Sequence, residues 1–173
     1  ALRAFDHPNI VQGVCTNESK LQIVYPYIRG GDLVPLASDT MGLKVVTAGR
    51  HAATLNPDQT FLPSFSQQLI SAVAHMHSKG FVHLDLKPEN FVVAGPDRSF
   101  QRSINSPEMK AYQLVLIDFG LTELLSNLKK DQCMKSGTEV TMGPEQVYCT
   151  HGVSFGTDWW GVAASLYRVR VMW

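Results

Sequence analysis

Apolar residues fall along this chain at two spacings, and the change from one to the other marks its elements. Leu21 to Ile28 (L-Q-I-V-Y-P-Y-I) is crowded with β-branched and aromatic residues, the composition of a strand. Pro26 has no backbone N–H and predicts an end to regular pairing there, and Arg29-Gly30-Gly31-Asp32 predicts a flexible turn into Leu33. From Leu62 the spacing turns helical. Phe65, Leu69, Val73 and Met76 recur at steps of three and four, the buried stripe of an amphipathic helix. Ser64 is the expected N-cap and Gly80 the C-terminal stop. Phe91-Val92-Val93-Ala94 predicts a short strand ended by Gly95-Pro96, and Asp97 to Lys110 a polar, turn-rich inserted loop. Leu114 to Ile117 predicts a second strand, running into Asp118-Phe119-Gly120. Two short strands joined by a loop read as a hairpin, whose closure brings Asn90 and Asp118 close together. Asp158 to Val171 is apolar enough for a buried helix.

Elsewhere the pattern is weaker. Ala1 to Phe5 reads as the last turn of a helix, Asp6-His7-Pro8-Asn9 as a turn, and Ile10-Val11 as the start of an extended segment. Ser38 to Thr60 has no sustained period and reads as a short helix plus an irregular insertion. Leu121 to Val140 is mixed in pattern and expected to be mobile, and Gly143-Pro144-Glu145 predicts a turn. There are no internal repeats.

With 173 residues the chain suits one domain and can bury a core, and 45% hydrophobic with 17% charged residues is ordinary for a soluble globular protein. A net charge of zero suggests neither a nucleic-acid partner nor bulk attraction to a membrane. No apolar run approaches the roughly 20 residues of a membrane helix. No signal-peptide pattern opens the chain, which starts with Ala1 rather than Met and so leaves a lost leader open. Cys15, Cys133 and Cys149 are too few and scattered for a disulfide framework or zinc site and read as free thiols, favouring a reducing compartment. The histidines show no metal spacing; His75 and His77, two apart on a helix, point to different sides. Oligomeric state is not legible.

The densest chemistry lies in Phe81 to Asn90, F-V-H-L-D-L-K-P-E-N. Asp85 can take a proton from a hydroxyl, and Lys87 can sit against a phosphoryl group as charge moves onto the leaving oxygen. Pro88 stiffens the turn, and the Asn90 amide oxygen is a hard ligand suited to Mg²⁺. A base, a cation and a metal ligand this close together suit phosphoryl transfer, where catalysis is mostly positioning and charge stabilisation. The plainer reading is a polar surface turn between a helix and a strand.

The ordered set of motifs resembles the protein kinase family along nearly the whole chain. His83 to Asn90 is similar to the catalytic loop H-R-D-L-K-P-E-N, and Asp118-Phe119-Gly120 to the D-F-G metal motif. His7-Pro8-Asn9-Ile10-Val11 resembles the loop after the regulatory C helix, and Ile23 to Leu33 the hinge. Gly137-Thr138 followed by Gly143-Pro144-Glu145 resembles the segment ending in A-P-E, and Asp158-Trp159-Trp160 the D-x-W opening the F helix. The resemblance implies a partial α+β protein-kinase-like fold over residues 1–173, with 1–28 the end of the N-lobe sheet and hinge and 29–173 an incomplete helical C-lobe up to the F helix. It implies ATP and Mg²⁺ as cofactors and a protein substrate. Asp85 would orient and deprotonate the substrate hydroxyl, and Lys87 would neutralise the γ-phosphate, in the position found in Ser/Thr kinases. Asn90 and Asp118 would hold Mg²⁺, and Thr138 would buttress Asp85 and Lys87. Glu145 would serve as an ion-pair partner and Asp158 as a backbone anchor. At the hinge, Tyr25 aligns with the gatekeeper, and the Pro26 carbonyl and Ile28 N–H with the groups that grip adenine. Asp32 would reach the ribose and Val92 would lie under the adenine ring. Tyr25 as a packed strand aromatic and Asp32 as a helix cap are the plainer readings.

Three departures bear on function. The Gly-rich loop, the lysine-bearing third strand and the C-helix glutamate have no counterpart here; the resemblance places them upstream of Ala1, and the F helix should still be running at Trp173. The expectation is a fragment, inactive if expressed alone. Leu84 replaces the Arg before the catalytic Asp, so activity should not depend on pairing that Arg with an activation-loop phosphate. Gly143 replaces the Ala of A-P-E, a mild change. Two readings stand: an active Ser/Thr kinase, and a pseudokinase acting as a nucleotide- or protein-binding scaffold. The location implied is cytoplasmic. The insertions and Leu84 also resemble divergent protist kinases, including secreted rhoptry-type kinases of apicomplexan parasites, which would make it secreted.

Overall fold

The computed structural model describes residues 4–13, 15–17, 22–28, 61–94 and 113–172. The turn at Arg29 to Asp32, the insertion Ser38 to Thr60 and the loop Asp97 to Lys110 lie outside the described residues, as does Asp32 itself. In chain order the elements are β1 (Cys15–Asn17), β2 (Gln22–Val24), α1 (Phe61–Ser78), β3 (Phe81–Val82), β4 (Phe91–Ala94), β5 (Gln113–Leu116), β6 (Glu123–Leu124), α2 (Pro144–Tyr148) and α3 (Phe155–Met172). Among the described residues three antiparallel pairs form, β1 with β2, β3 with β6 and β4 with β5.

Helix α1 carries the predicted stripe: Phe65, Leu69, Val73 and Met76 are buried, with Ala72 beside them. They face β5 and α3 and meet Phe91, Leu114, Leu116 and Val162 in the main core. Each such side chain contributes about 1.5–3 kcal/mol by leaving water. The helix begins three residues before Ser64, the expected cap. Pro63 falls in its first turn, where a missing N–H removes no helical bond, and Ser64 instead accepts a hydrogen bond from Gln68 Nε2 at 3.4 Å. Its end is where the sequence places it. Gly80 takes φ 82° and donates its N–H to the His77 carbonyl at 2.9 Å.

The β4–β5 hairpin pairs Phe91 with Leu116 through Ala94 with Gln113. Ile117 N–H continues the ladder to the Asn90 carbonyl (2.9 Å), which sets the residues before Phe91 opposite those after Leu116. The predicted extended run at Ile10-Val11 docks along it: Leu116 donates to the Asn9 carbonyl (2.8 Å) and Val11 to the Leu116 carbonyl (3.0 Å). Buried Asn9 ties this to α1, its Nδ2 donating to Gln68 Oε1 (2.8 Å) and to the Leu114 carbonyl (2.7 Å).

Four expectations need correction. The strand expected over Leu21 to Ile28 pairs only through Gln22–Val24, ending two residues before Pro26. Leu121 to Val140 holds β6 and a 3-10 turn at Leu125–Asn127. A two-residue strand is too short to show a period. Gly143-Pro144-Glu145 opens the five-residue helix α2 rather than a simple turn, with Pro144 in its first turn and Cys149 at φ 55° ending it. Finally, Cys133 and Cys149 are joined in a disulfide, their Cα atoms 4.9 Å apart, so the free-thiol premise fails for these two. The bond closes the stretch from Leu121 to Val140 onto the end of α2.

Helix α3 starts three residues before Asp158 because Ser154 caps it. Ser154 Oγ accepts from Gly156 N–H (3.1 Å) while Thr157 Oγ1 accepts from Ser154 N–H (3.0 Å), the reciprocal pattern of a capping box. Asp158 then lies in the first turn and faces inward, 1% exposed. No described helix is long and apolar enough to cross a membrane.

Candidate active site

The loop between β3 and β4 is held from beneath by α3. Asp158 Oδ2 accepts from His83 N–H (2.8 Å) and from His77 Nε2 (2.8 Å), and Oδ1 from Leu84 N–H (2.9 Å). This is the backbone anchor expected of Asp158. Glu145 accepts a hydrogen bond from the Thr157 hydroxyl, and among the described residues it forms no ion pair. Leu84 takes the left-handed φ of 70°, unusual for a residue with a Cβ. Its side chain is buried with Val82 and Val153, and Leu125, Leu128, Met134 and Phe155 pack against them. Leu84 thus meets the stretch from Leu125 to Met134 through apolar contact.

On the other face of the loop three side chains close a triangle. Asp85 Oδ2 lies 2.8 Å from Lys87 Nζ, Thr138 Oγ1 donates to Asp85 Oδ1 at 2.8 Å, and Lys87 Nζ donates to Thr138 Oγ1 at 2.9 Å. Thr138 can both donate and accept, which is what lets one hydroxyl bridge an anion and a cation. Asn90 joins from the 3-10 turn Pro88–Asn90, its Nδ2 donating to the Asp85 carbonyl at 2.9 Å and approaching Asp85 Oδ2 at 3.4 Å. Proline at the start of that turn fixes φ where no N–H is needed.

His83 is fully buried, its ring against Phe119 with centroids 5.3 Å apart, and its Nδ1 accepts from Asp85 N–H at 3.3 Å. Burial pulls its pKa below the usual 6.5, outweighing Asp158, Asp85, the Ile117 backbone and Asp118, which favour the cation. The neutral ring is therefore a spacer that holds Asp85 by its backbone. Asp118, at φ 60°, accepts Gly120 N–H on Oδ1 at 3.2 Å and is exposed. Burial, and then the Asp118 charge, push the Tyr25 phenol above 10.0, so these two residues share one electrostatic neighbourhood.

Direct contacts thus bring together Asp85, Lys87, Thr138 and Asn90, and the hairpin ladder pairs Asn90 with Ile117, the residue before Asp118. Pro26 and Ile28 follow β2 outside any regular element, and Val92 is half-buried in β4 opposite Val115. Among the described residues no hydrogen bond joins these three to the Asp85 cluster. One feature had no signal in the sequence: Glu89 pairs with Arg168 of α3 (3.2 Å). The role of Asp158 was implied by its motif, but its partners, 74 and 75 residues away, were not.

Mg²⁺ fits the donor set. Asn90 spends its Nδ2 on Asp85, which leaves its amide oxygen as the ligand atom, and Asp118 Oδ1 alone is engaged by the backbone. Two hard oxygens suit an ion that keeps waters and takes its other ligands from phosphates. Among the described residues no group of three or more His, Cys, Asp or Glu forms a protein-only cage.

Comparison with known proteins agrees with this arrangement. The family model described as "Protein kinase domain" matches residues 1–171. The chain is 30% identical over 168 residues to "Serine/threonine-protein kinase DCLK3" of Mus musculus, covering 96% of this chain and 18% of that protein. It is 30% identical over 170 residues to "Myosin light chain kinase family member 4" of Homo sapiens, covering 97% and 37%. It is 30% identical over 172 residues to "CBL-interacting serine/threonine-protein kinase 3" of Arabidopsis thaliana, covering 96% and 32%. The chain spans well under half the length of these curated relatives. The described helices and short antiparallel pairs are those of a partial protein kinase fold, and the chain belongs to the protein kinase domain family.

Proposed function

We propose that this chain is part of the catalytic domain of an active, ATP-dependent protein Ser/Thr kinase, with residues 1–28 ending the N-lobe and 29–173 forming the C-lobe as far as the F helix. The observation that carries this reading is the Asp85–Lys87–Thr138 triangle. It holds a carboxylate and an ammonium side by side, half-buried and pre-oriented, in a loop whose backbone is pinned by Asp158. Preorganised charges of this kind need no reorganisation as charge moves in the transition state.

In this mechanism Asp85 orients the substrate hydroxyl and takes its proton, and Lys87 turns towards the oxygens of the phosphoryl group. Thr138 keeps Asp85 Oδ1 in place while Lys87 moves. Asn90 and Asp118 are the residues to hold Mg²⁺. Bound ATP with its ion supplies the transferable phosphoryl group and the positive charge that shields it. By the family pattern, Pro26 and Ile28 would offer the backbone groups for adenine, Tyr25 would be the gatekeeper, Asp32 would reach the ribose and Val92 would lie under the ring.

The test uses the full-length parent protein and its Asp85→Asn variant, measuring Mg²⁺-dependent transfer from ATP to a generic Ser/Thr substrate. A positioned base contributes roughly 10²–10⁴-fold, so the variant should fall by that factor with its fold intact. A folded wild type that binds nucleotide and transfers nothing across substrate panels would establish the scaffold reading instead.

A further inference from the structure

Gln146, the first residue after Gly143-Pro144-Glu145, is polar and 2% exposed. Every hydrogen of its amide is spent. Oε1 accepts from Gly143 N–H (3.0 Å), and Nε2 donates to the Ser136 carbonyl (2.8 Å) and the Leu84 carbonyl (3.3 Å). The reverse amide orientation would set an oxygen against two carbonyls and an NH₂ against an N–H, so the partners fix the assignment. One side chain thereby ties together the catalytic loop, the activation segment and the start of α2.

The two carbonyls it holds are not arbitrary. The Leu84 carbonyl belongs to the peptide that ends in Asp85 N–H, which itself donates to His83 Nδ1 (3.3 Å). On the other side, Leu84 N–H goes to Asp158. Leu84 holds a left-handed φ of 70°, a conformation that persists only where the surroundings over-determine it. The Ser136 carbonyl belongs to the peptide entering Gly137, one residue before Thr138. Here the two backbones nearly touch: a Cβ on Gly137, which has φ 120°, would lie 2.7 Å from the Leu84 carbonyl oxygen. Gln146 bonds both strands at this point of closest approach, and the Thr138–Asp85 contact (2.8 Å) sits directly beyond it.

We infer that Gln146 is a positioning residue, a buried clasp that sets the distance between Asp85 and Thr138 by holding the backbone before each. Its catalytic consequence rests on the kinase reading above; its structural consequence does not. A residue that served stability alone would leave turnover per folded molecule unchanged.

The experiment compares the full-length protein with Gln146→Met, which keeps the length and removes the amide. Four quantities are read: kcat, KM for ATP, the thermal midpoint, and amide hydrogen exchange in peptides covering 83–90 and 134–142. The expected result is a fall in kcat of roughly 10–100-fold, the scale of a small misplacement of reacting groups. KM for ATP should stay within about threefold, with faster exchange in both peptides together. Wild-type kcat in the folded variant, or faster exchange confined to residues 143–148, would overturn the inference. If Gln146→Met does not fold, Gln146→Asn, one methylene too short to reach both carbonyls, is judged by the same criteria. If the wild type transfers no phosphate, the kinase reading falls and exchange decides: loosening of both peptides supports the clasp, and unchanged exchange overturns it.

Discussion

Replacing Asp158 by Asn tests the anchor beneath the catalytic loop. The carboxylate is 1% exposed and accepts three hydrogen bonds, from Leu84 N–H at 2.9 Å on Oδ1 and from His83 N–H and His77 Nε2 at 2.8 Å each on Oδ2. Asparagine keeps the shape and loses one acceptor. In its better orientation the amide oxygen takes the Oδ2 position, and the NH₂ then faces Leu84 N–H, donor against donor. That removes one charge-assisted bond, worth about 1.5–3 kcal/mol, and strands a buried N–H at a further cost of about 1–3 kcal/mol. The two surviving bonds weaken as the acceptor loses its charge. The sum is about 2.5–6 kcal/mol, a large share of a domain stability of about 5–15 kcal/mol. In urea, with a slope of about 1–3 kcal/mol per molar, the unfolding midpoint should fall by roughly 2 M. Equilibrium unfolding of the full-length protein followed by tryptophan fluorescence measures it. A loss below about 1 kcal/mol at unchanged slope would show that His83 and Leu84 do not depend on this carboxylate.

Three further predictions follow from the same geometry. Gly137→Ala should cost at least about 2 kcal/mol, because a Cβ at φ 120° would sit 2.7 Å from the Leu84 carbonyl oxygen. Gly120→Ala, whose Cβ meets nothing nearer than Asp118 Oδ1 at 3.2 Å, is the milder control, and equal thermal shifts for the two would refute the argument. His83 has a folded pKa below its unfolded 6.5, so the unfolded chain takes up the proton first as pH falls. Stability is then full above pH 6.5 and declines by up to about 1.4 kcal/mol per pH unit from there down to the folded pKa. His7, lowered in the same direction by burial and His75, adds to the trend. Unfolding curves between pH 7 and 5 should therefore be steeper in pH for wild type than for His83→Asn; parallel curves would count against it. Cys133→Ser opens a loop between residues 16 apart and should cost about 3 kcal/mol by chain entropy, with the Cys133–Cys149 peptide pair found by mass spectrometry only without reductant. A mutant as stable as the oxidised wild type would refute the link.

Local signals carried far in this chain. The stripe Phe65, Leu69, Val73 and Met76 marked α1 because a helix repeats its buried face every three to four residues. Gly80 marked its end because the left-handed backbone there excludes most other residues. The two apolar runs around Asn90 and Asp118 marked a hairpin, and Asp85, Lys87, Asn90 and Thr138 were singled out by the chemistry and order of their motifs. Boundaries were less legible. α1 starts at Phe61 and α3 at Phe155, since Pro63 and the Ser154–Thr157 cap are weaker cues than the stripe itself.

The sequence by itself determined the long helices α1 and α3, the β4–β5 strands and which residues bear charge, because backbone preference and side-chain type are properties of a residue and its near neighbours. The short elements β6 and α2 carried too few residues to show a period. The motifs implied that Thr138 would buttress Asp85 and Lys87 and that Asp158 would anchor backbone, but only the tertiary structure decided the actual partners and distances. Asp158 reaches His83 and Leu84, Thr138 reaches Asp85 and Lys87, Gln146 reaches Leu84 and Ser136, Arg168 reaches Glu89, and Cys133 reaches Cys149. Those distances depend on how α2, α3 and the hairpin pack, which is set by the shared core rather than by any single stretch. Along the chain the carboxylate at position 158 is marked only by its motif, and the amide at position 146 by nothing. Folding buries them beneath the catalytic loop, and there an unmatched donor or acceptor would be costly, so their partners become specific.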